Sequence, residues 1–347
     1  MSLGKKKMLS QGAAAAPPPT ATDHFKTVIY TGNGSSQNVD TVGFKPDFVW
    51  LKAQNATVNS MITDSVRGAS YGLASQSSDQ HYLESGKNLN SFRTLGFSVS
   101  GQANGGYRVN GSAGGAFSGN PPNYVAWCWK GGGAAANNTA GTITSSVSAN
   151  QTAGFSIVQF TSNSGNITVG HGLSAVPELI ILKTISFTDD WFVNCIGLTN
   201  QSNRALRLNA TTGEETSNAF WNNTAPTSTT FSVGNGVSVS GQSYIAYCFH
   251  SVAGYQKVDK YTGNSGTNAI TTGFQPRWVL MKNTANGYSW IIQDSVRGTS
   301  KILYANIGNS EVSTSTHITS FDSNGFTLGS NADVNNSGDT YIYLAIA

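Results

Sequence analysis

Charge is what this sequence has least of: Asp, Glu, Lys and Arg make up only 11% of its 347 residues. Helical bundles and coiled coils need charged outer faces, so the composition excludes them and points to many short strands joined by turns. The net charge is +3, part of it from Lys5, Lys6 and Lys7, and no basic stripe interleaves with aromatics, so nucleic acid is not an expected partner. There are 3 cysteines. Cys128, Cys195 and Cys248 each lie inside an apolar pattern and read as small buried hydrophobes in a protein made in a reducing compartment. No run is apolar enough to span a membrane, and the stretch after Lys7 is too short and weakly apolar for a signal peptide.

Chemistry is equally sparse. His24, His81, His171, His250 and His317 are scattered, with no two at metal-ligand spacing. Nucleophile elbows, Walker loops and dinucleotide fingerprints do not occur. The acids Asp64, Asp79, Glu84, Asp294, Glu311 and Asp322 suggest no pair for glycan hydrolysis. We therefore expect no enzyme and no cofactor. The stretch from Asp333 to Asp339 matches the first half of a calcium loop, but Leu344 stands where the closing Glu belongs, so it reads as a polar hairpin turn. Trp50, Trp127, Trp129, Trp191, Trp221, Trp278 and Tyr247 could stack on sugars, yet most fall in strand patterns and read as core. In Trp127-Cys128-Trp129 both indoles share one face, which is either packed or a platform.

What is present is repetition. Gly43-Phe44-Lys45-Pro46-Asp47-Phe48-Val49-Trp50-Leu51-Lys52 returns as Gly273-Phe274-Gln275-Pro276-Arg277-Trp278-Val279-Leu280-Met281-Lys282, with a degraded copy from Val176-Pro177 to Lys183. The same spacing separates Asp64-Ser65-Val66-Arg67-Gly68 from Asp294-Ser295-Val296-Arg297-Gly298. Ser91-Phe92 and Gly96-Phe97 answer to Ser320-Phe321 and Gly325-Phe326 with one residue of drift. Each copy closes on an aromatic strand that begins at Tyr124, Tyr244 or Tyr341. We read an all-β chain of three tandem antiparallel β-sandwich repeats, jelly-roll-like, after an extended N-terminal arm.

The expected divisions are an arm and Ala/Pro linker at 1–23, a first repeat at 24–130, a Gly/Ala/Asn linker at 131–139, a divergent second repeat at 140–250 and a third at 251–347. The arm is either a tail or a particle anchor, with Lys5, Lys6, Lys7, Met8 and Leu9 as its basic and apolar head. In the Asp-Ser-Val-Arg-Gly motif, Asp64 with Arg67 and Asp294 with Arg297 are either loop braces or a ligand grip. The second repeat has lost the motif, Cys195 standing where Asp294 falls, which argues against a catalytic role common to all three.

These strings, together with Tyr30-Thr31-Gly32-Asn33-Gly34 and the opening Leu3-Gly4-Lys5-Lys6-Lys7-Met8-Leu9, resemble an uncharacterised repeat domain of tailed-bacteriophage virion proteins, of the tail-fibre or structural type. The resemblance covers nearly the whole chain and is specific in repeats one and three. It implies a virion component made in the bacterial host cytoplasm, and it carries over no catalytic residue. Other virion proteins of tail or capsid are then the expected partners, with a host surface glycan as a further one, and homo-oligomerisation is expected without membrane insertion. Tail fibre or adaptor and capsid decoration are the competing placements; a carbohydrate-binding module or depolymerase is the outside alternative.

Overall fold

Each of the three prolines is followed by a wholly buried strand: Phe48–Ala53, Leu179–Thr184 and Trp278–Asn283. Proline cannot donate to a ladder, so pairing starts one residue later, where the amides of Asp47, Glu178 and Arg277 donate to Trp129, Phe249 and Ile346. The computed structural model describes residues 21–83, 88–101, 109–112, 121–285 and 287–347. In these the chain is all-β and antiparallel, the helices among them being single turns at Ala21–His24, Asn218–Trp221 and Ala332–Asn335. Lys5, Lys6, Lys7, Met8 and Leu9 lie outside the described residues.

One strand order occurs three times. The proline strand lies between a short strand (Met61–Asp64, Trp191–Cys195, Ile291–Asp294) and a closing strand (Asn123–Trp129, Ser243–Phe249, Thr340–Ile346). Beyond the closing strand comes an entry strand, Phe25–Thr31, Phe155–Thr161 or Gln256–Thr262. The expected linker at 131–139 is partly strand, because Ala136–Asn138 pairs with Ser145–Asn150 on the edge of the second entry strand.

Strand alternation assigns the two faces of each sheet to different cores. Val49 and Leu51, Ile180 and Leu182, or Val279 and Met281 pack into a separate cluster for each segment, where a small outer sheet covers them with residues such as Phe97, Phe231 and Phe326. Phe48 and Trp50, Leu179 and Ile181, and Trp278 and Leu280 instead enter one common cluster, joined by Trp127, Tyr247 and Leu344 of the closing strands. Only about 10 Å³ of free space remains among Phe48, Trp129, Tyr247, Trp278 and their neighbours, about one water's worth. The three segments therefore face each other across a filled interior.

All segments point the same way. The Asn150 side chain contacts the His24 ring at 2.8 Å and donates to the Lys130 carbonyl at 3.0 Å; Gln256 donates to His250 at 2.8 Å, and His24 lies edge-on to Tyr255. His24, both crossings between segments and Ala347, whose amide donates to Tyr255, thus share one end.

Candidate functional site

The motif residues singled out in the sequence meet at the joints between segments. Asp64 is fully buried at the end of the first short strand. Its Oδ1 accepts the amides of Val66 and Arg67, and its Oδ2 takes the Arg67 Nε at 2.6 Å, as an Asp-started turn should. The Tyr247 hydroxyl of the second segment also donates to Oδ2, at 2.8 Å, and accepts from Arg67 at 3.3 Å. Burial works against the Arg67 charge, but the Asp64 carboxylate beside it holds the guanidinium above its usual pKa; burial drives the Tyr247 phenol well above its own.

The third segment repeats the device against the first. Asp294 Oδ2 accepts Arg297 Nε at 2.7 Å and Trp127 Nε1 at 3.1 Å, while the Arg297 guanidinium lies over the Trp127 ring, 5.6 Å from its centroid. Glu311 adds a second carboxylate, 3.1 Å from Arg297. Both carboxylate–guanidinium pairs are solvent-excluded and brace a turn and a joint within the protein, while the buried Nη1 of Arg67 has no hydrogen-bond partner among the described residues.

At the opposite end the lysine of each proline strand is buried and reaches the preceding segment in the ring. Lys52 Nζ donates to Ile307 O at 2.6 Å, Lys183 to Ser78 O at 3.1 Å, and Lys282 to Thr211 O at 3.2 Å. Desolvation pulls their pKa values down. Lys52 falls to about 7, Arg297 adding to the effect, whereas Lys183 falls to about 8 against the pull of Asp189, Asp190 and Asp79, and Lys282 also to about 8. One layer further in, Trp191 Nε1 donates to Ala74 O at 3.1 Å and Trp290 Nε1 to Arg207 O at 2.9 Å. The first segment has Ser60 at that register; its hydroxyl meets Ser75, which donates to Ala305 O at 2.6 Å. Glu214 donates to Thr284 O and Glu311 to Gln54 O through their amides. Every joint runs head to tail, so the three segments form a closed ring.

Sequence reasoning left Lys52, Lys183 and Lys282 without a role, although a lysine ending an apolar strand three times over was the signal. It also passed over Trp290 and Asn110, and took Asn335 only as part of the Asp333-to-Asp339 stretch. The last two are buried and act alike, since each Oδ1 accepts a loop amide, from Asn33 or Asn264, and each Nδ2 donates to two carbonyls. The Asp333-to-Asp339 stretch is a capped helical turn followed by a hydrogen-bonded turn closed from Asp339 to Asn336, and it joins strands of different sheets, so it is not a hairpin turn. Asn331 caps Asp333, and Asp339 accepts from Asn283 and Asn336. All seven tryptophans are buried, so the Trp127 and Trp129 face is packed. The three cysteines are buried and free.

Open surface depressions exist at the shared end and at one joint. One of about 520 Å³ lies at the His24 end beside Lys45, Asp47, Lys130 and Asn150. Another of about 550 Å³ lies beside Asp79, His81, Tyr82 and Thr188, between the first and second segments. Among the described residues no cluster of three His, Cys, Asp or Glu could hold a metal, and no helix is long and apolar enough to cross a membrane.

Fold and joints together define an all-β protein in which buried polar groups tie three similar segments into a ring. The chain belongs to the family described as "Domain of unknown function (DUF7483)", which it matches over residues 20–347. Neither the curated proteins nor the solved structures include a match.

Proposed function

We propose that this chain is a non-enzymatic structural or adhesive component of a phage particle, built of three sandwich-like repeats and tethered by residues 1 to about 23. The observation that carries the reading is the shared end. His24, where the arm joins, lies with both segment crossings, so an arm bound to a particle leaves the opposite end of the ring facing outward. The buried charges are spent on holding segments together, which suits a rigid module. The sequence strings of repeats one and three supply the link to virion proteins.

Tail-associated fibre, adaptor or host-surface binding is the placement suggested by that resemblance, with a surface glycan as ligand. Capsid decoration is the second reading, favoured by the way the segments close side by side instead of stacking into a long shaft. The inner sheets satisfy one another within a single chain, so a homo-oligomer would form through outer surfaces or the arm.

Intact particles labelled with an antibody to the third segment decide between the placements: label at the tail supports fibre or adaptor, label around the head supports decoration. Deleting residues 1–23 should leave folded protein that no longer enters particles. Unchanged incorporation would refute the anchoring role, and absence of label from purified particles would refute the virion reading.

A further inference from the structure

We propose that the Asp-Ser-Val-Arg-Gly turns are half of a recognition code, read by the neighbouring closing strand, that fixes which segment sits beside which. Register defines the positions. Asp64, Cys195 and Asp294 each stand opposite the first residue of their proline strand, namely Phe48, Leu179 and Trp278. Trp127, Tyr247 and Leu344 each stand opposite its third residue. Two joints match Asp and Arg with an aromatic donor: Asp64 with Tyr247, and Asp294 with Trp127.

The joint between the second and third segments lacks both halves at once. Cys195 replaces Asp, Leu198 replaces Arg, and the closing-strand position is Leu344; all three enter the common apolar cluster. The placement follows the ring, since a Cβ on Gly197 would come within 2.6 Å of Ile342 and 3.1 Å of Lys260. The backbone turn is kept only at its entry. Ile196 donates to Glu178 O just as Ser65 donates to Asp47 O and Ser295 to Arg277 O. Beyond that bond the turns differ, since Leu198 donates to Cys195 O where Gly68 and Gly298 donate to Asp64 O and Asp294 O; Asp and Arg accompany both that tighter-held turn and an aromatic donor across the joint. A buried carboxylate facing Leu344 would lack its cross-joint bond, and Tyr or Trp facing Cys195 and Leu198 would bury a donor without an acceptor. Each wrong pairing is penalised, so the side chains specify order as well as adhesion.

Denaturant unfolding of the full chain tests the code. Asp64→Cys alone should raise the unfolding constant about 100- to 1,000-fold, because it strands Arg67 in the interior. Asp64→Cys with Arg67→Leu and Tyr247→Leu converts the joint to the apolar type and should return to within about tenfold of the parent, as replaced buried ion pairs do. Cys195→Asp should be rescued likewise by Leu198→Arg with Leu344→Tyr. A milder cycle covers the case in which a single variant fails to fold: Asp64→Asn and Tyr247→Phe should be non-additive by at least about threefold. Recovery of the converted joints together with this coupling is the expected result. Converted joints as unstable as the product of their single losses, or additive effects in the mild cycle, would overturn the code.

Discussion

Lys52 Nζ donates to the backbone carbonyl of Ile307 at 2.6 Å, across 255 positions of chain. The contact helps join the first segment to the third, and Lys183 and Lys282 repeat it at the other two joints. Burial lowers all three pKa values from 10.5, to about 7, 8 and 8. Between those values and 10.5 the unfolded chain holds more protons than the folded one, so stability must rise with pH there, by up to about 1.4 kcal/mol per pH unit for each lysine.

Melting temperature should therefore climb from pH 7 to about pH 9. Above that it should level off and then fall, where the unfolded chain loses thiol and tyrosine protons that burial holds on Cys128, Cys195, Cys248, Tyr30, Tyr247 and Tyr261. Lys52→Met should flatten the climb without moving the fall. A scan of melting temperature against pH, parent beside variant, checks both limbs; an unchanged climb in the variant would sink the assignment.

The Tyr-Thr-Gly-Asn string has a steric cause. A Cβ on Gly263 would lie 2.1 Å from the Asn336 carbonyl, and one on Gly32 would lie 2.4 Å from the Gly111 carbonyl. Backbone on both sides leaves little to yield. Gly263→Ala should cost about 1–3 kcal/mol by overpacking, measured as a shift in denaturant midpoint, whereas Gly273→Ala, which meets no atom within 4 Å, should cost only the strain of its φ of 92°.

The sequence revealed the strands because their signal is local. Pro46, Pro177 and Pro276 mark the same start, and alternation after them shows two faces. It did not reveal that one face is shared, since Phe48, Leu179 and Trp278 look the same whether three cores form or one. The brace residues Asp64 and Arg67 were legible as a turn, but Tyr247 lies 183 positions from Asp64, beyond any periodicity. Asn110 and Asn335 stayed hidden because they sit in loops of unlike sequence, where only their bonding is the same.

Burial also governs the thiols. Cys128, Cys195 and Cys248 are excluded from solvent, and desolvation raises each pKa, that of Cys195 to about 12. A thiol reagent needs thiolate and access. At pH 8 the folded protein should react at none of the three, and all should react together on unfolding, because Cys195 belongs to the common cluster while Cys128 and Cys248 lie on the other faces of the sheets that build it. Stepwise labelling followed by mass spectrometry would instead mean that segments open one at a time.

Asn335 offers the sharpest side-chain test. Its Oδ1 accepts from the Asn264 amide at 2.9 Å and from Asn268 at 3.0 Å, while its Nδ2 donates to Gly266 O at 2.6 Å and Gly329 O at 2.7 Å. Asn335→Ala strands donors and carbonyls together and should cost about 2–4 kcal/mol, a sum of unmet hydrogen bonds. Asn335→Asp keeps the acceptor but turns carboxylate oxygens toward two carbonyls. Burial and that repulsion raise its folded pKa, so its stability relative to the parent should improve as pH falls toward 4 and the carboxyl regains a proton to donate. Asn335→Ala has no titratable group there and should show no such recovery. Parallel unfolding curves at pH 4 and pH 7 separate the two variants, and equal behaviour would mean that the carboxamide is not the hub of the loop.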